Sequence, residues 1–137
     1  MKTSKVLVTG GGGFIGSHVV DKLLDMGLQV VVVDDFRSGR QSNLPSHISL
    51  YHTDMASPEL EEVFRNESPD IVCHYAAQIS VQRSMQDPLL DSATNVRGSI
   101  NLLQNCVRYG VKKVIYTSSG GAIYGDPLNL PCNEDHP

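Results

Sequence analysis

Val6-Leu7-Val8-Thr9-Gly10-Gly11-Gly12-Gly13-Phe14-Ile15-Gly16 decides the fold of this chain. A short apolar run, the mark of a buried strand, breaks into a glycine cluster and passes at once into helical spacing. Gly10, Gly13 and Gly16 fall on a Gly-x-x-Gly-x-x-Gly pattern. Strand, tight turn and helix start, in that order, make the phosphate-cradling turn of a dinucleotide-binding unit. Gly10 lets the chain leave the strand at a φ that side chains resist. Gly13 removes a Cβ where a pyrophosphate approaches the backbone, and Gly16 lets helix and strand pack closely. The first N–H groups of the helix have no intrahelical partner, and its dipole favours an anion at that end.

The following residues strengthen this reading. Ile15, Val19, Val20, Leu23 and Leu24 keep a helical period, and Gly27 stops it. Leu28–Val33 is a second β-branched run. It ends at Asp34-Asp35, roughly twenty residues beyond the turn, where an acid holds the ribose hydroxyls of an adenosine. Asp34 is the stronger candidate; Asp35 also fits a solvated acid at a strand end. Arg37 and Arg40 lie near enough to bear on a phosphate there.

The alternation continues. Strands are predicted over Lys5–Thr9, Gln29–Val33, Ile48–His52, Asp70–His74 and Lys113–Thr117. Ser57-Pro58 opens a helix over 58–66, and Asp87-Pro88 opens a long one over 88–109 that Gly110 ends. The apolar stripe Leu89, Ala93, Val96, Ile100, Leu103 and Val107 of the long helix is expected mainly to serve the core, with a partner helix as the other use. Residues 35–47 read as a polar loop. The expected architecture is α/β: one Rossmann-type, doubly wound parallel sheet over residues 1–137, order 3-2-1-4-5, with right-handed crossovers.

Composition bounds the function. At 137 residues the chain can bury a real core, and its net charge of −4 without a basic stripe argues against a nucleic-acid partner. Met1-Lys2-Thr3-Ser4-Lys5 leads straight into a strand, with no hydrophobic leader and no bilayer-length apolar run. A cytoplasmic protein without membrane attachment is expected. Cys73, Cys106 and Cys132 are far apart and odd in number, as suits free thiols. His47 with His52, and Cys73 with His74, have no metal-ligand spacing.

In such sheets ligands bind at the carboxyl ends of the strands. Strand 3 is followed by Asp54-Met55, an acid and a backbone N–H suited to an adenine edge. Strand 4 is followed by Tyr75-Ala76-Ala77-Gln78-Ile79-Ser80, whose small residues let backbone lie along a cofactor. Strand 5 is followed by Ser118-Ser119-Gly120-Gly121, with hydroxyls able to meet a substrate oxygen beside a nicotinamide.

Together these motifs resemble the extended short-chain dehydrogenase/reductase family and, within it, the UDP-glucose 4-epimerases. The likeness rests on Thr9–Gly16, Asp34-Asp35, Asp54-Met55, His74–Ala77, Asn95-Val96-Arg97-Gly98 and Tyr116–Gly125, in order along the whole chain. It implies NAD across the sheet. Gly10, Gly13, Phe14, Ile15 and Gly16 would hold its pyrophosphate end. Asp34 and Asp35, with Ser38 and Gly39, would hold its adenosine, and Asp54 and Met55 its adenine. Tyr75, Ala76, Ala77 and Gln78 would lie along it, with Asn95 and Thr117 facing it near a UDP-sugar substrate. Ser119, with Ser118 as the alternative register, would meet the reacting sugar hydroxyl. Related dehydratases carry Asp-Glu where Ser118-Ser119 stands, which favours an epimerase.

The likeness also implies a base: a tyrosine whose phenol is activated by a lysine one helical turn later, on a helix after strand 5. The one Tyr-x-x-x-Lys here, Tyr109 and Lys113, is broken by Gly110 and reads as accidental. The expectation is therefore the NAD-binding half of an epimerase without its substrate domain, inactive alone and a possible homodimer. An NAD-binding sensor without chemistry, or a dehydratase, decarboxylase or reductase of the same fold, are the alternatives.

Overall fold

In the computed structural model, five parallel strands form one sheet in the order β3-β2-β1-β4-β5. Residues 3–127 and 129–136 are described; Met1, Lys2, Leu128 and Pro137, and with them the expectations about the two ends of the chain, lie outside the described residues. The strands are β1 Lys5–Thr9, β2 Gln29–Asp34, β3 Ser49–His52, β4 Ile71–His74 and β5 Lys113–Tyr116. All neighbours run parallel, with Thr9 beside both Val33 and His74, and His74 beside Tyr116.

Strand alternation divides the core between the two faces of the sheet. Val6, Val8, Val30, Val32 and Cys73 face α1 (Phe14–Asp25) and meet Val20 and Leu44. Leu7, Val31, Val33 and Val72 face the opposite way, onto Leu60, Val63 and Phe64 of α2 (Leu60–Glu67) and Leu102 and Cys106 of α5 (Gly98–Arg108). Gly27 and Gly110, both left-handed, close α1 and α5. Burial pushes the Cys106 thiol up to about 11 and raises that of Cys73, so neither is a thiolate.

The helix predicted over 88–109 is one rod in three parts. Asp87 caps α4 (Pro88–Ser92), its carboxylate accepting from the Leu90 N–H at 3.0 Å. A π turn follows at Ala93–Arg97 and leads into α5. Its apolar stripe does not serve the core. Leu89, Val96, Ile100, Leu103 and Val107 are all exposed, Val107 to 84%. The buried face carries Gly98, Ser99, Leu102, Asn105 and Cys106 instead. The reason is a close approach: a Cβ on Gly98 would meet Met55 at 3.3 Å. Asn101 Nδ2 also donates to the carbonyls of Met55 and Ser57, at 2.7 and 2.9 Å. A loop this near the helix selects small and amide residues, which an apolar count overlooks.

Two short helices have no counterpart among the predicted elements: α3 (Val81–Gln86), capped by Ser80, and α6 (Gly120–Tyr124). A single 3-10 turn, Gln41–Asn43, interrupts the 35–47 loop.

Candidate functional site

The glycine turn closes on itself. Gly10, at φ +70°, donates its N–H to the Val33 carbonyl at 2.8 Å, and Gly13 N–H donates to the Gly10 carbonyl at 3.1 Å. A Cβ on Gly10 would lie 2.6 Å from the Ala76 nitrogen, and one on Gly16 only 2.8 Å from the Gly10 carbonyl carbon. No real side chain tolerates such contacts, so backbone fills the space and the first turn of α1 opens onto the cavity above. Asp34 is bonded to this turn directly. Its Oδ2 accepts from Gly12 N–H and its Oδ1 from Phe36 N–H, both at 2.8 Å. Phe36 sits in the left-handed region at φ 54°, a conformation that costs a bulky residue about 1–2 kcal/mol. The carboxylate holds it there.

Arg37 spans the far end. Its Nε lies 3.0 Å from Asp35 Oδ2, its Nη2 is bonded to Asp54 Oδ2, and its Nη1 donates to Thr94 Oγ1 at 3.3 Å. The guanidinium is thus balanced by two carboxylates rather than open to a phosphate. Asp54 Oδ1 accepts from Ala56 N–H at 2.7 Å, which shapes the turn that presents Met55. Arg40 lies on a separate, shallower depression with His18, Asp21 and Asn43.

The loop after β4 is pinned by Asn95, which stands in the π turn. Asn95 Oδ1 accepts from Gln78 N–H at 2.8 Å and its Nδ2 donates to the Gln78 carbonyl at 2.9 Å. The amide thus pairs with both backbone groups of one residue, which lie in successive peptide units. A π turn widens a helix by one residue and is frequent at functional sites; here it turns Asn95 toward Gln78.

A polar row, buried at Thr9, His74 and Ser99 and open at Tyr116, forms the cavity floor. Thr9, His74 and Tyr116 are register neighbours at the ends of β1, β4 and β5. Thr9 Oγ1 lies 2.7 Å from His74 Nδ1; Ser99 Oγ lies 3.4 Å from His74 Nε2 and 3.2 Å from the Tyr116 hydroxyl. His74 is 3% exposed, and burial lowers its pKa below the ordinary value of 6.5. The unfolded chain then binds the proton more readily, so stability falls as pH drops below about 6.5 toward the folded value. Of the three residues meeting the ring, Tyr116 alone is titratable. We expect the thermal midpoint of the chain to fall on acidification from pH 7 to 5. His74→Gln should flatten that slope, and a slope unchanged in the variant would assign it to other groups.

Every candidate residue of the sequence lines one cavity of about 800 Å³. The turn residues Gly10, Gly13, Phe14, Ile15 and Gly16 form one wall, with Asp34, Asp35, Ser38 and Gly39 beyond them. Asp54 and Met55 close the far end. Tyr75, Ala76, Ala77 and Gln78 form the opposite wall, with Asn95, Thr117, Ser118 and Ser119 at the near end. Sequence reasoning missed Arg37 as a wall and His74, Ser99 and Tyr116 as the floor. It separated Tyr109 from Lys113 correctly: Tyr109 ends α5, Gly110 is left-handed, and Lys113 opens β5. Among the described residues no group of three or more potential metal ligands occurs, and no helix is long and apolar enough to cross a membrane.

Residues 6–137 match the model of the NAD dependent epimerase/dehydratase family. The chain is 43% identical over 138 residues to a UDP-glucose 4-epimerase of Mycolicibacterium smegmatis, covering 97% of this chain and 44% of that protein. The structure of Thermus thermophilus UDP-glucose 4-epimerase in complex with NAD superposes with a TM-score of 0.90 at 45% identity, over 97% of this chain and 43% of that one. That of the Thermotoga maritima UDP-glucose 4-epimerase with UDP-glucose gives 0.86 at 46% identity, over 92% and 41%. The chain therefore spans less than half the length of these relatives. The cavity suits the dinucleotide held by the first of the two structures: backbone fills the cradle where any Cβ would, and an acid is bonded to the turn.

Proposed function

The chain belongs to the NAD dependent epimerase/dehydratase family, and from that premise we propose that it is the NAD-holding portion of a nucleotide-sugar 4-epimerase of the UDP-glucose/UDP-galactose type. One observation carries the reading: the glycine turn, the acid after β2 and the ends of β3, β4 and β5 meet around a single cavity. Bound NAD would supply a reversible hydride acceptor. The chain's own residues do the rest. The open N–H groups of α1 meet the pyrophosphate, and Asp34 accepts from the ribose hydroxyls. Ala76 and Ala77 leave room for the cofactor along β4. Ser119, or Ser118, binds the sugar hydroxyl that loses its proton at the near end.

Among these 137 residues, Tyr109 and Lys113 are the one tyrosine–lysine pair at the spacing a base requires, and Gly110 keeps them off a common helix. General-base catalysis is worth about 10²–10⁴-fold. We expect the purified 137-residue chain to bind NADH yet leave UDP-glucose unconverted to UDP-galactose. Turnover by homogeneous protein would overturn the assignment of the base, and absence of NADH binding would overturn the cofactor role itself. A second reading is an NAD-binding module with no chemistry of its own. That reading gains if the chain binds NADH but has no measurable affinity for UDP-glucose in its presence.

We place the protein in the cytoplasm and read it as a homodimer former. The exposed stripe of Val96, Ile100, Leu103 and Val107 supports self-association. Light scattering over a concentration series should show mass rising with concentration. A constant monomer mass throughout would remove this expectation.

A further inference from the structure

The polar row beneath the cavity has a direction. Ser99 Oγ lies 2.7 Å from the Asn95 carbonyl, which only accepts, so the Ser99 hydroxyl proton is committed there. Its oxygen then accepts from both other neighbours, the Tyr116 hydroxyl and His74 Nε2. A ring nitrogen that donates carries the proton. In the neutral imidazole Nδ1 is then an acceptor, and the Thr9 hydroxyl donates to it across 2.7 Å. The Thr9 oxygen in turn accepts from Ala76 N–H at 3.3 Å. Every group in the chain is matched by the neutral ring. A second proton, on Nδ1, would face the Thr9 hydroxyl and leave that hydroxyl's own proton without a partner.

Three members of this row, His74, Ser99 and Tyr116, line the cavity, and Thr9 is fully buried beside His74. Thr9 is the residue before the left-handed Gly10, and Ala76 is the residue whose backbone would strike a Cβ there. Ser99 follows the π turn that holds Asn95 against Gln78, and Tyr116 precedes Thr117 and the serine pair. We propose that His74 is a positioning residue for the dinucleotide: its neutral, Nε2-protonated ring fastens the strand entering the glycine turn to the helix and strand at the opposite end, and so sets the separation between the two halves of the bound cofactor. The proposal rests on the cofactor reading above and adds a residue that acts through its neighbours.

The test combines spectroscopy with titration on the 137-residue chain. Imidazole ¹⁵N spectra near pH 7 should show His74 protonated at Nε2 alone; an Nδ1–H tautomer or an imidazolium overturns the proposal. NADH titration should show His74→Ala weakened about 10- to 100-fold, the effect of leaving buried partners unmatched. His74→Asn restores an acceptor near Thr9 and His74→Gln a donor near Ser99, so each should recover part of the loss. Thr9→Val should cost little further in the His74→Ala background. Cys73→Ala gives the control for simple destabilisation, since Cys73 is the adjacent strand residue facing the other core. If its loss of thermal midpoint brings an equal loss of NADH affinity, or if His74→Ala binds NADH as the parent does, the positioning role is refuted. A parent chain that binds no NADH would instead overturn the cofactor reading, whatever tautomer the spectra report.

Discussion

Replacing Gly16 by alanine should lower the stability of the chain by about 3 kcal/mol or more, the upper range for an overpacked site. The new Cβ would land on the Gly10 carbonyl, with Gly10 C at 2.8 Å and Gly11 Cα at 2.9 Å. All these obstacles are backbone, so no rotamer change relieves them; α1 must move away from β1, and the Val20 contacts beneath it would open. Gly27→Ala is the natural comparison. Gly27 has φ +74° but open space around it, so its cost is the left-handed conformation alone, about 1–2 kcal/mol. Urea unfolding of both variants separates crowding from conformation. Equal midpoints would show that the close approach of helix and strand is not what Gly16 provides. NADH binding by Gly16→Ala should be lost as well, because the same shift displaces the first turn of α1.

Asp34→Ala should loosen NAD by about 1.5–3 kcal/mol, the value of hydrogen bonds to a charged group. The carboxylate also serves the free protein. Its removal strands Gly12 N–H and Phe36 N–H, and each buried orphan costs about 1–3 kcal/mol. Binding and stability should therefore fall together, and Asp34→Asn, which keeps one acceptor oxygen, should restore more of the stability than of the affinity. The same acid opposes a 2′-phosphate, while Arg37, tied to Asp35 and Asp54, offers that phosphate no free charge. Calorimetric titration should rank NAD above NADP for the parent and narrow the gap in Asp34→Ala. Equal or tighter binding of NADP by the parent would contradict this assignment of Asp34.

What could be read directly from the sequence was what depends on neighbours in sequence. Glycine spacing, β-branched runs, and Asp87-Pro88 ahead of a helix are local signals, and they located the strands, the sheet order and the walls of the cavity. What went unread depends on neighbours in space. Counting apolar residues picks the wrong face of α5: Gly98 lies inward because the Met55 loop passes so close, and Ser99 because it meets His74 and Tyr116. The helix at Val81–Gln86 is too short for periodicity, although Ser80 is a cap. The floor was hidden because Thr9, His74 and Tyr116 each look like an ordinary strand end. A signal existed: in Leu7-x-Thr9, Val72-x-His74 and Val114-x-Tyr116 the last residue on the same side of the sheet is polar in three adjacent strands. Only the strand order turns that coincidence into a row.

The central place of β1 has a cost in time. Of the five strands it is synthesised first, yet its partner β4 begins only at Ile71. Thr9 and His74 are 65 residues apart, and at roughly 5–20 residues per second the ribosome takes about 3–13 s to cover that distance. Through that interval one side of a strand rich in valine and leucine has no neighbour, and an unpaired edge invites other nascent chains. We expect yield in a cell to depend on how quickly the message is read between Asp34 and Ile71. Codons that slow translation there prolong the exposure of β1, whereas those that speed it bring His74 to Thr9 before another chain does.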